Sequence, residues 1–210
     1  MRKLLLASNG GFLFAKGYGL LGIPLDQMKV AYITTASKGA TSLEYLDQHK
    51  QAMEDAGINY EEIDIEGKSA EDLEKLLATK NVMHVEGGNA FYLLKALKEN
   101  GADNLLIKLI DQGMIYVGTS AGTYIACPTI DPATWKSQDK DRYGLTDFTA
   151  LNLVPFLITA HYIDANKDLI KNEIQKSTYP VRILKDGQGI LVEDSKYTFV
   201  GSGEEVISND

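Results

Sequence analysis

The chain has 210 residues, of which 44% are hydrophobic and 24% charged, and it carries a formal net charge of -8. That length supports a sizeable core in one domain spanning residues 1–210, and the acidic balance argues against nucleic acid or an anionic membrane as partner, since both select basic surfaces. The single cysteine, Cys127, excludes an internal disulfide and suits a reducing compartment.

Residues 1–8 begin like a signal peptide, but the apolar run stops at Ala7, too short for a secretory segment. Lys3–Ala7 reads instead as a first strand, and no stretch approaches membrane-spanning length. A cytoplasmic protein is expected. Ser8–Gly22, rich in glycine and aromatics, reads as a loop with a short helix. Lys29–Thr35 is a second strand, apolar enough to be buried on both faces, as in parallel sheets. Thr41 followed by Glu44 fits a capping box, opening a helix with Leu43, Leu46, Met53 and Ala56 on one face and Gly57 as its stop. The acid-bearing run Ile58–Ile65 reads as a strand near an edge. Ser69 opens a helix with Leu73, Leu76 and Leu77 inward. Val82–Val85 is a strand running into Glu86-Gly87-Gly88-Asn89. Two helices follow, one with Ala90, Leu93, Leu94 and Leu97 on one side and one over Asp103–Gln112.

The run Met114–Val117 is a buried strand ending in Gly118-Thr119-Ser120-Ala121-Gly122, after which Thr123–Ala126 continues as helix. Strands alternating with helices up to this point imply an α/β fold, a mostly parallel sheet with helices on both faces. Right-handed crossovers place every parallel strand's carboxyl end along one edge, where such folds bind ligands. Both glycine-rich turns, 86–89 and 118–122, fall on that edge. Pro128–Phe148 is polar and reads as a long surface excursion or lid, with the charged run 136–142 inside it. Leu151–Tyr162 is strand-like, and Asp164 caps a helix carrying Leu169, Ile170 and Ile174. Late strands are expected at Val181–Leu184, Gly189–Val192, Tyr197–Val200 and Glu205–Ser208, closely spaced enough to be antiparallel.

A strand, a tight turn and a helix with one hydroxyl at the bend is the arrangement of a nucleophilic serine, and Ser120 occupies that bend. The alternative is a glycine-bounded turn whose serine only caps the helix. The Ala121 amide lies at the helix start, and the Gly88 amide in the neighbouring turn is a candidate second donor to an oxyanion. Asn89 suits an N-cap and is also a candidate substrate contact. A serine needs a base. Of the three histidines, His49 reads as a solvated helix residue and His84 as a core residue. His161 ends an apolar segment downstream of the serine and is the candidate base. Asp186, Asp131 and Glu193 are candidates for the orienting acid, and spacing does not choose among them. Metal-type cysteine or histidine spacing and a Walker lysine are both missing, so neither metal nor cofactor is expected.

Four segments carry a family resemblance: V-E-G-G-N (85–89) with F-Y-L-L (91–94), G-T-S-A-G (118–122) continuing to A-C-P-T-I (126–130), A-L-N-L-V-P-F…H-Y (150–162), and L-K-D-G-Q-G-I-L-V (184–192). In order and separation the chain resembles the dipeptidase E (α-aspartyl dipeptidase) and cyanophycinase group of serine peptidases. The resemblance implies a class I glutamine amidotransferase-like fold. It implies Ser120 as nucleophile, His161 as general base, and the Gly88 and Ala121 amides as oxyanion hole. Asp186 occupies the position of that family's third member, a glutamate, with Asp131 an alternative. The family's substrate-reading arginine has no counterpart in the segment after His161, which offers Lys167 and Lys171, so Arg142 is the substitute considered. The expected function is dipeptidase E-like hydrolysis of small peptides through an acyl-enzyme, with a preference for N-terminal aspartate considered but, without that arginine, not assumed to be strict. Alternatives are an esterase or amidase on the same scaffold, or a non-catalytic binding protein.

Overall fold

The computed structural model describes residues 2–136 and 142–206. The apolar runs form strands and the 3.6-period runs form helices. Strand β1 (Lys3–Ala7) is followed by three short helical turns, α1 (Gly10–Phe12), a π-type turn at Leu13–Gly17 and a 3-10 turn at Tyr18–Leu21. Then come β2 (Lys29–Ile33), α2 (Glu44–Asp55), β3 (Asn59–Ile63), α3 (Ala70–Leu77), β4 (Val82–Val85), α4 (Ala90–Glu99), α5 (Ala102–Asp111), β5 (Ile115–Thr119) and α6 (Ala121–Ala126). The last third holds the short α7 (Pro132–Trp135), β6 (Leu157–Thr159), α8 (Lys167–Lys176), β7 (Val181–Ile183), β8 (Gln188–Glu193) and β9 (Lys196–Gly201).

The main sheet has the order β3-β2-β4-β5-β1-β8-β9. Its first five strands pair in parallel, whereas β8 runs antiparallel to β1 and β9 antiparallel to β8. Side chains alternate across it. Leu4 and Leu6 enter the core with Met83, Val85 and the helices α4 and α5, while Leu5 and Ala7 enter the opposite core with Val30, Tyr32 and Val82. Each such buried leucine contributes about 2 kcal/mol of transfer free energy. The acid-rich β3 pairs only with β2 and forms one edge.

Several local expectations are corrected by this arrangement. Helix α2 starts at Glu44 with Leu43 at its N-cap and no side-chain capping bond, so the Thr41–Glu44 box does not form. Leu43 is exposed, as is Leu169 on α8. That helix is preceded by a 3-10 turn at Asp164–Asn166 and has no side-chain cap from Asp164. Only Leu157–Thr159 of the apolar run 151–162 is a strand, and it pairs with β7 in a separate two-stranded sheet. The rest of the run covers α6 as irregular chain, with the amides of Leu151 and Leu153 donating to the carbonyls of Ile125 and Ala126. In the segment 128–148, Ala133 and Trp135 are buried rather than on a surface excursion. Its central residues 137–141, and the last two residues of the strand expected at 205–208, lie outside the described residues. Val206 bridges Ile183. Among the described residues no helix is long and apolar enough to cross a membrane.

Candidate active site

Three parallel strands end side by side, and the first residue after each is polar: Ser8 after β1, Glu86 after β4 and Ser120 after β5. Pairing fixes their level. Ala7 lies opposite Thr119, and the Ser120 amide donates to the Ala7 carbonyl at 3.1 Å. Because β8 is antiparallel to β1, it starts where β1 stops, with Gly189 opposite Ala7 and the Ser8 amide donating to Gln188. That reversal carries Asp186, two residues before β8, to the same edge. His161 arrives through the small sheet. The chain after β6 runs beside the chain after β7, with Leu184 donating to Thr159 and Tyr162 donating to Leu184.

At Ser120 the backbone takes φ 48° and ψ -105°, a strained conformation for a non-glycine residue, and its side chain makes no capping bond to α6. The bend is over-determined by its surroundings. The amides of Thr123 and Tyr124 donate to the Ser120 carbonyl, the Thr123 hydroxyl reaches the carbonyls of Ala7 and Gly118, and the Tyr116 hydroxyl donates to that of Gly122. A Cβ on Gly122 would lie 2.0 Å from the Val85 carbonyl oxygen, so only glycine lets α6 pack this closely on β4.

Ser120 Oγ lies 2.9 Å from His161 Nε2, and His161 Nδ1 lies 2.7 Å from Asp186 Oδ1. The carboxyl of Asp186 is held below its ordinary range, first by the hydrogen bond from His161, against the upward push of burial, with further help from Ser8. A carboxylate only accepts, so Nδ1 carries the ring proton and Nε2 is left to accept from the serine hydroxyl. The Ser8 hydroxyl ties the chain together: it donates to Asp186 Oδ1 at 2.9 Å and accepts from the His161 amide at 2.8 Å. That contact holds His161 at φ 54°, another left-handed non-glycine residue.

The Gly88 and Ala121 amides have no hydrogen-bond acceptor among the described residues. Gly88 has φ 138°, and a Cβ there would sit 2.3 Å from the Ala36 carbonyl oxygen. Beside it, Asn89 spends its side chain capping α4, accepting from Phe91 and Tyr92, and it does not line the cavity. Arg142 lies over the rings of Phe91 and Phe148, also away from the cavity. Of the other candidate acids, Glu193 pairs with Lys3 at 3.1 Å and the exposed Asp131 sits at the start of α7, neither in contact with His161. Among the described residues no three of His, Cys, Asp and Glu cluster so as to hold a metal ion. Cys127 is buried, and burial pushes its thiol up to about 12.

A cavity of about 600 Å³ opens beside Ser120. Its lining includes His49, which is not the solvated residue its helix neighbours suggest. Its side chain is 14% exposed and its Nδ1 lies 2.7 Å from the carboxylate of buried Glu86. Burial alone would raise Glu86, but the hydrogen bonds and charge supplied by His49, His84 and Thr119 outweigh it and hold the carboxyl down at about 2. His84 is a core residue bonded to the Tyr18 hydroxyl, and burial lowers it to about 4.

The sequence model of peptidase family S51 matches residues 20–200. The chain belongs to peptidase family S51. Among its S51 relatives, an uncharacterised peptidase of Pasteurella multocida (strain Pm70) is 32% identical over 199 residues, covering 92% of this chain and 95% of that one. A peptidase E of Nostoc sp. (strain PCC 7120) is 31% identical over 185 residues, 83% of this chain and 73% of its own. The crystal structure of a candidate peptidase E from Listeria monocytogenes EGD-e superposes with a TM-score of 0.85 at 29% identity, covering 97% of this chain and all of that one. This S51 chain is therefore a peptidase, and the hydroxyl–imidazole–carboxylate line lies at the edge where its strands deliver their polar ends.

Proposed function

We propose that the protein is a serine-type peptidase of small peptides, working through an acyl-enzyme with Ser120, His161 and Asp186. The observation that supports it most is the continuous line Ser120 Oγ–His161 Nε2, His161 Nδ1–Asp186 Oδ1, with both contacts under 3 Å. In this reading His161 takes the hydroxyl proton as Ser120 Oγ bonds to the scissile carbonyl carbon. The carbonyl oxygen becomes an oxyanion facing the Gly88 and Ala121 amides, each such donor contributing about 3 kcal/mol in the transition state. As the tetrahedral intermediate collapses, the imidazolium protonates the leaving amine. Water, deprotonated by the same imidazole, then releases the acid and restores the serine. No cofactor enters any step. We assign the protein to the cytoplasm, a reducing compartment that suits its single free cysteine.

The test is hydrolysis of a dipeptide panel and of aryl esters by the wild-type protein and by Ser120→Ala. Dipeptide turnover that disappears with Ser120→Ala supports the reading. Turnover of esters alone makes the protein an esterase, and equal activity in both proteins removes Ser120 from the chemistry.

A further inference from the structure

Besides the residues around Ser120, the cavity is lined by Phe14, Tyr45, Gln48 and His49, together with the buried Glu86. The His49 ring is fixed on several sides. Its Nδ1 is bonded to Glu86, its ring lies 4.7 Å from that of Phe14 and 5.7 Å from that of Tyr45, and Gly10 packs against its Nε2 edge. Nε2 itself has no hydrogen-bond partner among the described residues. Glu86 is equally fixed. One carboxylate oxygen accepts from Thr119 and the Gly87 amide, the other from Tyr32 and His49.

The charges facing this space are one-sided. Two carboxylates, Glu86 and Asp186, line it, and no lysine or arginine does so among the described residues. Any charge on His49 is already matched by Glu86, so that pair is at most neutral. With His161 neutral at rest, the lining stays net negative whether or not His49 is protonated, and a substrate carboxylate in this space would add to that negative charge. Desolvated like charges are strongly rejected. An amide or an aromatic group meets no such penalty: it has ring faces to stack on and one ring nitrogen to hydrogen-bond.

We propose that this end of the cavity is a specificity pocket for an uncharged substrate side chain, and that Glu86, through its fixed negative charge, excludes aspartate and glutamate. The inference rests on the peptidase reading for its substrate and on the cavity's charge for its selectivity. The isosteric dipeptides Asn-Leu and Asp-Leu separate the two. Binding is measured by calorimetry on Ser120→Ala, which cannot turn either peptide over, and turnover is measured on the wild type. Asn-Leu is expected to bind about tenfold or more tightly than Asp-Leu. In Ser120→Ala carrying Glu86→Gln as well, that ratio is expected to fall to within about threefold, the charge having gone while the shape remains. Equal binding, tighter binding of Asp-Leu, or binding of neither overturns the pocket assignment, whether or not the Glu86→Gln protein folds. Selective binding of Asn-Leu without wild-type turnover upholds the pocket and overturns the peptidase reading instead.

Discussion

Asp186→Asn is the sharpest perturbation of the proposed machinery, because it changes two hydrogen-bond roles with almost no change in shape. In the wild type Asp186 Oδ1 accepts from both His161 Nδ1, at 2.7 Å, and the Ser8 hydroxyl, at 2.9 Å. The asparagine side chain can present only one acceptor oxygen. If its amide nitrogen faces His161, the ring must carry its proton on Nε2, and Nε2 then cannot accept from Ser120. If its oxygen faces His161, the imidazolium formed during attack still loses its counter-charge. A substitution of this kind in a serine–histidine–aspartate arrangement lowers kcat about 10⁴-fold, which is about 5 kcal/mol of transition-state stabilisation. Steady-state hydrolysis of a cleaved dipeptide should show that loss in kcat with KM little changed, because Asp186 acts on the imidazole rather than on the ground-state peptide. Asp131→Asn and Glu193→Gln, measured in the same assay, should stay within about twofold of wild type, since neither side chain touches His161. A loss below tenfold at Asp186, or a comparable loss at either of the other two acids, refutes this assignment of the acid.

Ser8→Ala removes a donor to the same carboxylate and the acceptor of the His161 amide. A hydrogen bond to a charged group is worth about 1.5–3 kcal/mol, so kcat should drop about tenfold or more, with partial recovery in Ser8→Thr. An unchanged kcat would remove Ser8 from the positioning network. Gly88→Ala forces a Cβ to 2.3 Å from the Ala36 carbonyl oxygen at φ 138°, and should destabilise by about 3 kcal/mol or more in urea unfolding; a change below 1 kcal/mol contradicts the packing described. His84 predicts an acid-sensitive fold. Its folded value of about 4 lies below the ordinary 6.5, so the unfolded chain binds the proton more readily, and the stability is complete above pH about 6.5 and lost as pH falls toward 4. The ceiling on that loss is on the order of 3 kcal/mol, and urea unfolding at pH 7.5 and 4.5 should show a smaller difference in His84→Gln than in wild type. An equal difference in the two proteins refutes the His84 contribution.

The parts of this architecture legible in the sequence are those written in local pattern. The run from Lys29, read as buried on both faces, and the strand Val82–Val85 pair as inner parallel strands, and the acid-bearing Asn59–Ile63 lies at an edge. Gly-Thr-Ser-Ala-Gly is local too, since a strand, a bend and a helix within about ten residues leave few geometries. What could not be read was pairing across long separations. Ser8 and Asp186 are 178 positions apart and His49 and Glu86 are 37 apart, and helix α2 alone gives His49 polar neighbours that suggest solvent. One signal was present. Glu86 follows the short strand Val82–Val85 at the ligand-binding edge, and an acid delivered there needs a buried partner. The run 151–162 misled for a related reason: the apolar residues of its first part cover α6, and the Leu151 and Leu153 amides are satisfied by that helix's carbonyls rather than by a neighbouring strand.

The most direct measurement is intact-mass analysis after incubation with a serine-directed fluorophosphonate. One phosphonyl adduct per chain is expected, mapped to Ser120 by peptide mass spectrometry, absent in Ser120→Ala and greatly slowed in His161→Ala. An unlabelled wild-type protein, or an adduct that persists when Ser120 is replaced, would contradict Ser120 as nucleophile.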